Sequence, residues 1–257
     1  MTEQSSGRRS ALDVVLSRNA PVLVCYLPIG DPLVGDYIVK AYTDAGVNIV
    51  EMGMPTQHPR LDGPDIAGSM LRAMRSGTDV LGTFREVGRR LRQGAPQIGT
   101  VCMTYADSPI LAQSTRETFE SVDATLILGV AGEESAAGQA AAGIPQVVFV
   151  PARFTDRDIE AARKGGTYVM LQASDGMTGP RADLDPANED RIRRLRSGGV
   201  RQRILLGFGI STADQARAAL DMGADGVIIG SMCMRKALEG EPSIRAFLHE
   251  VRAAIDA

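Results

Sequence analysis

Two acidic residues frame the stretch Glu51-Met52-Gly53-Met54-Pro55-Thr56-Gln57-His58-Pro59-Arg60-Leu61-Asp62-Gly63-Pro64. Carboxylates are side chains of general acid–base chemistry, and one loop can aim two of them into a single pocket. Each has an ordinary reading when taken alone. A Glu closing a strand is often solvated or paired with a Lys, and an Asp before Gly-Pro is often only a cap. Their pairing on one strand-end loop favours function.

The elements around them follow from the pattern. Val47, Asn48, Ile49 and Val50 read as a buried strand with Glu51 as its last residue. Gly53, Pro55, Pro59, Gly63 and Pro64 then forbid regular structure, and a helix can restart with Pro64 in its first turn. The rest of the chain repeats this alternation. Strands are predicted at 21–27, 98–103, 124–128, 147–150, 167–171, 203–206 and 226–229. Helices are predicted at 11–16, from Leu33 to Ala45, at 80–91, from Pro109 to about Val122, at 133–142, up to Lys164 behind a Thr155/Asp158 capping box, at 188–196 and at 212–222. The strands are continuous apolar runs, as a parallel sheet covered on both faces requires. Eight strand–helix units without a break predict one (β/α)₈ TIM barrel domain over residues 1–257, preceded by a short arm and helix over about 1–20. A doubly wound open sheet is the alternative. In a barrel, chemistry gathers at the C-terminal ends of the strands.

Three glycine-bearing turns follow the last three strands: Met177-Thr178-Gly179, Gly207-Phe208-Gly209-Ile210-Ser211 and Gly230-Ser231. Glycine lets backbone N–H groups approach an anion, and a helix starting at the turn adds its positive end. Barrels often place a phosphate at the last two of these loops. Gly179, Gly209, Gly230 and Ser231 are therefore the expected phosphate site, with tight turns and no ligand as the plainer alternative.

Composition narrows the classes. The chain has 257 residues, 44% of them hydrophobic, and a net charge of −3. Nothing in that balance points to nucleic acid or an anionic membrane. No apolar run approaches the ~20 residues of a membrane span, and the polar start does not read as a signal peptide. Cys25, Cys102 and Cys233 lie in or beside apolar runs without metal-type spacing, so free thiols in a reducing, cytoplasmic setting are expected. His58 and His249 are too far apart in sequence to suggest a metal centre.

The combination Glu-x-Gly-x-Pro followed by Asp-Gly-Pro resembles the tryptophan synthase α subunit family. The likeness extends to Gly30-Asp31-Pro32, Met103-Thr104-Tyr105, Thr178-Gly179, Gly207-Phe208-Gly209-Ile210-Ser211 and Ala224-Asp225-Gly226-Val227-Ile228-Ile229-Gly230-Ser231. The resemblance implies a retro-aldol lyase that cleaves indole-3-glycerol phosphate to indole and glyceraldehyde 3-phosphate. Glu51 and Asp62 match its catalytic carboxylates. Tyr26, Ile66 and Phe208 would hold the indole. No metal or organic cofactor is implied, and a β-type subunit is the expected partner.

The chain departs from the family pattern in three places, at four positions. His58 stands where the carboxylate loop usually has an Asp, Gly129 and Ala131 replace an Asp and a Pro after the fourth strand, and Met170 replaces a Tyr. The first two changes fall where the family meets its β subunit, which places the standard partnership in question. Two other functions stay open at this stage: a lyase or isomerase for another phosphorylated substrate, and an inactive subunit that regulates a partner.

Overall fold

The computed structural model describes residues 9–110, 113–129 and 143–257. Eight strands, β1 (Val22–Pro28), β2 (Ile49–Gly53), β3 (Gly99–Tyr105), β4 (Ala124–Leu128), β5 (Val148–Val150), β6 (Val169–Gln172), β7 (Ile204–Gly207) and β8 (Gly226–Ile229), lie side by side. Their order is β4-β3-β2-β1-β8-β7-β6-β5, and every neighbouring pair is parallel. The two outer strands meet through a short parallel bridge. Thr125 N donates to Pro145 O at 2.9 Å and Val147 N to Thr125 O at 2.8 Å, which nearly closes the barrel.

Successive side chains of a strand point to opposite faces, and the burial follows that period. Val22, Val24 and Tyr26 of β1, Ile49 of β2 and Val101, Met103 and Tyr105 of β3 join one inner cluster. Leu23, Cys25 and Leu27, Val50 and Met52, and Cys102 belong to a second cluster that packs under the helices. Glu51 shares the face of Ile49, so its carboxylate belongs inside the barrel.

The helices are α1 (Ala11–Ser17), α2 (Tyr37–Asp44), α3 (Pro64–Arg75), α4 (Val80–Gly94), α5 (Asp156–Lys164), α6 (Ala187–Ser197), α7 (Ala213–Asp221), α8 (Ser231–Leu238) and α9 (Glu241–Asp256). A Ser10/Asp13 capping box starts α1. Its Leu12 and Val15 join the inner cluster near Gly99, at the N-terminal end of the barrel. The opposite end is left for the site. Pro64 opens α3, and the Thr155/Asp158 box opens α5, both as the sequence predicts.

Three expectations need correction. Glu51 is not the last residue of its strand, because β2 continues to Gly53. Neighbours on both sides carry the ladder on, with Gly53 in register with Pro28 and Met103. The helix expected from Leu33 starts only at Tyr37. Asp31 captures the intervening backbone, its Oδ1 accepting Leu33 N at 3.1 Å and its carbonyl accepting Val34 N at 3.2 Å. The helix expected between Pro109 and Val122 is, among the described residues, a 3₁₀ turn over Arg116–Phe119. Reciprocal Thr115 and Thr118 hydrogen bonds start it, and Phe119 is held edge-on to Phe84 at 6.5 Å. The predicted 133–142 helix, Ala131 and the arm up to Arg8 lie outside the described residues.

Candidate active site

Glu51 sits level with Tyr26 of β1 and Val101 of β3, only 3% exposed. Tyr168 Oη donates to Glu51 Oε1 at 3.3 Å. Burial pushes the carboxyl up to about 7; the Tyr168 hydrogen bond opposes the shift and the charge of Asp62 adds to it. At neutral pH such a group is close to half protonated, and can both give and take a proton.

Asp62 reaches the same cavity from the loop after β2. The Tyr105 hydroxyl orients it, accepting Leu61 N at 3.0 Å while donating to Asp62 Oδ2 at 2.8 Å. Thr178 Oγ1 donates to Asp62 Oδ1 at 3.3 Å. Burial raises Asp62 to about 6, against the pull of the Tyr105 and Thr178 hydrogen bonds. The two carboxylates thus hold different poises: near neutrality Asp62 is mostly an anion while Glu51 keeps much of its proton. Environments that separate two titrations in this way supply an acid and an electrostatic partner.

Both carboxylates line one cavity. Every site residue expected from the sequence lines it as well: Tyr26, Ile66 and Phe208, and Gly179, Gly209, Gly230 and Ser231. Met103, Leu128 and Met170 complete an apolar wall. Phe208 has φ 72° and Gly209 φ 95°, and Phe208 is the one non-glycine residue with positive φ among those described. Two consecutive positive-φ residues turn the backbone sharply at the cavity, and the glycine lets it approach a ligand closely. Ser231 opens α8, where the helix presents unpaired N–H groups, and its buried hydroxyl has no hydrogen-bond partner among the described residues.

The family model for the tryptophan synthase alpha chain matches residues 12–254. The chain belongs to the tryptophan synthase α chain family. It is 32% identical to the tryptophan synthase alpha chain of Edwardsiella ictaluri, covering 92% of this chain and 94% of that one. It is 29% identical to that of Methanosarcina barkeri, covering 91% of each. Among solved structures, tryptophan synthase of Mycobacterium tuberculosis superposes with a TM-score of 0.79 at 24% identity, over 96% of this chain and 97% of that one. The tryptophan synthase A-subunit of Pyrococcus furiosus superposes with a TM-score of 0.74 at 24% identity, over 90% and 98%. These superpositions bear on the fold.

Several residues that shape the site in this member of the α chain family escaped the sequence reading. Tyr168 and Tyr105 were not singled out as carboxylate partners. Tyr105 at the end of β3 and Tyr168 just before β6 both fall on inward-facing positions, but nothing in the sequence says which carboxylate each will meet. Thr178 entered only as part of a turn. Asp31 accepts from Arg72 Nε at 3.0 Å, Arg72 Nη2 at 2.6 Å and Ser69 Oγ at 2.6 Å. Burial alone would raise Asp31, but these bonds hold it below its ordinary value. The clamp ties the loop after β1 to α3, which supplies Ile66 and follows directly from Asp62.

Proposed function

We propose that this cavity cleaves indole-3-glycerol phosphate into indole and glyceraldehyde 3-phosphate. The observation that carries the reading is the pair Glu51 and Asp62, buried in one cavity with separated poises. Membership in the α chain family supports it.

Glu51 gives its proton to indole C3. Positive charge then develops at the ring nitrogen, and the Asp62 anion balances it. The Glu51 carboxylate next takes the proton from the hydroxyl on the carbon attached to C3. That oxygen becomes the aldehyde, the carbon–carbon bond breaks, and its electrons restore the aromatic ring. Indole and glyceraldehyde 3-phosphate leave, and Glu51 is again protonated. The amides of Gly179, Gly209, Gly230 and Ser231 hold the phosphate, while Tyr26, Ile66 and Phe208 hold the ring.

The rim carries two of the departures from the family pattern. His58 and Gly129 are both exposed there, and Gly129 has φ 93°. We infer that the chain does not form the usual tight, activating complex with a standard β subunit. No described helix is long and apolar enough to cross a membrane. Cys25, Cys102 and Cys233 are free and buried, which fits a reducing cytoplasm. The test is release of indole from indole-3-glycerol phosphate by the purified chain without a partner. Absence of indole at any enzyme concentration, with and without a β subunit, would overturn the lyase reading.

A further inference from the structure

Gln215 lies in the first turn of α7, just beyond the turn Gly207-Phe208-Gly209-Ile210-Ser211, and is buried. Thr212 caps the helix, its side chain accepting Gln215 N at 3.1 Å. A capping box would turn the Gln215 side chain back to the Thr212 amide. Instead its Oε1 accepts Ser211 N at 2.7 Å and Ser211 Oγ at 2.9 Å, one residue earlier. Its Nε2 donates to the Arg181 carbonyl at 2.9 Å and to the Ala182 carbonyl at 3.0 Å. A side-chain amide has two N–H groups and two lone pairs on its oxygen, and all four are committed. One half of the amide holds the turn after β7, and the other half holds the loop after β6.

The β6 loop is braced within itself, so this grip reaches Thr178. Arg181 Nη2 donates back to the carbonyls of Asp175 and Met177 at 3.3 and 3.2 Å. Gln172 Nε2 donates to the Gly176 carbonyl at 2.8 Å. Gly179 and Pro180 alone separate Thr178 from Arg181, and the proline ring fixes its own φ. The Arg181 stem rests on Gly209, where a Cβ would stand 2.6 Å from Arg181 Cγ and 3.4 Å from its Cβ. Beyond it, Thr178 donates to Asp62 Oδ1, and its amide donates to Leu61 O. The roots of the loop are held separately, by Arg191 on the Ala173 carbonyl at 3.2 Å and on Asp185 at 2.8 Å. Arg181 and Ala182 are themselves exposed, so water can satisfy their carbonyls when Gln215 does not. Losing the Gln215 amide thus releases the middle of the loop and leaves its ends in place.

We propose that Gln215 is a positioning residue of this site. It holds the β6 loop against the turn after β7, so that the Thr178 contact with Asp62 and the backbone assigned to the phosphate are set as one unit. This inference rests on the lyase reading above. Gln215 does not line the cavity; it acts on Asp62 through Thr178.

The test is a double-mutant cycle in the full chain. It reads kcat for cleavage of indole-3-glycerol phosphate, and binding of glycerol phosphate by calorimetry. Gln215→Met keeps the length of the side chain and removes all four bonds. It is expected to lower kcat about tenfold or more, because small displacements of a positioned group are costly. It should also weaken glycerol phosphate severalfold through loss of the Ser211 bonds. In a Thr178→Val background the same change should cost less than about twofold in kcat, because the contact it serves is already gone. Gln215→Glu keeps the bonds from Ser211 and loses both donors to the β6 loop, so it should show the same kcat loss and the same non-additivity. A residue that only stabilises the fold would lower the melting temperature, and its kcat losses would multiply with those of Thr178→Val. Normal kcat in either Gln215 variant, or losses that multiply, overturns this inference and leaves the lyase reading standing. If the wild type binds glycerol phosphate but cleaves no indole-3-glycerol phosphate, the lyase reading fails and this inference falls with it.

Discussion

Thr178 latches the loop after β6 onto Asp62: its hydroxyl donates to Asp62 Oδ1 at 3.3 Å and accepts the Gly63 amide at 2.8 Å. Its own amide donates to Leu61 O at 2.8 Å. The approach needs glycine, because a Cβ on Gly63 would stand 2.0 Å from the Thr178 carbonyl oxygen. The latch orients the carboxylate and helps to keep it buried. Thr178→Val keeps the shape and removes both side-chain hydrogen bonds. It is expected to lower kcat/KM by ~10²-fold, since small displacements of a positioned group cost about that much. Steady-state kinetics checks this, and a change of less than about twofold would show that the latch does not position Asp62.

Glu51→Gln removes the proposed proton carrier and leaves the shape of the cavity. Cleavage should fall by at least ~10²–10⁴-fold if the residue serves both proposed transfers. Substrate should still bind, as single-turnover trapping or calorimetry will show. Near-normal turnover would rule out the assignment.

The same variant has a stability signature. Glu51 is raised from 4.5 to about 7 on folding. Between those values the folded protein holds a proton that the unfolded chain has released. Stability is therefore lost as pH rises through this window, and the full loss of about 3 kcal/mol, at ~1.4 kcal/mol per unit, is present above about pH 7. Gln carries no such cost. Glu51→Gln should melt higher than the wild type above about pH 7, with the gap closing as pH falls toward 4.5. Equal pH dependence of the two melting curves would contradict the raised value.

Asp62 must be an anion when charge develops on the ring nitrogen, and Glu51 must begin protonated. The kcat/KM profile should rise through about 6 and fall through about 7. These limbs belong to the interacting pair rather than to either residue alone. Asp62→Asn should lower turnover, erase the rising limb, and move the falling limb down because Glu51 loses a like-charged neighbour. A profile of unchanged shape in Asp62→Asn would refute the assignment.

Gly209 has φ 95°, and a Cβ there would stand 2.6 Å from Arg181 Cγ. Gly209→Val strains the turn and displaces the loop above it. Loss of one charge-assisted amide bond predicts ~10-fold or greater weakening for glycerol phosphate, measured by titration. Unchanged affinity would place the phosphate elsewhere.

The rim predicts weak partnership. His58 cannot supply an anion, and Gly129 has no side chain to offer. The loop after β2 is instead tied to its neighbour within the chain, through Arg60 and Asp107 at 2.9 Å and through Ser108 Oγ and the Pro55 carbonyl at 3.1 Å. Mixed with an ordinary tryptophan synthase β subunit, the chain is expected to show neither a stable complex by ultracentrifugation nor strong stimulation of cleavage. A stable, strongly stimulated complex would show that these substitutions do not matter.

The barrel was legible in the chain because its signals are local. Apolar runs of strand length recur eight times, punctuated by glycine turns and capping residues, and each depends on neighbours a few positions away. The pair Glu51 and Asp62 and the three glycine turns were legible for the same reason: they are residue types at short, characteristic spacing. Where local signals misled, a distant partner had decided. β2 outran Glu51 because β1 and β3 offered ladder partners to Gly53, and α2 started late because Asp31 took the preceding amides. What only the tertiary structure decided is the state of the site. Tyr168 is 117 positions from Glu51, and Thr178 is 116 from Asp62. Closing the barrel removes water from both carboxylates and brings these hydroxyls to them. Burial and hydrogen bonding set the proton poise, and both depend on contacts between residues that the linear chain keeps far apart.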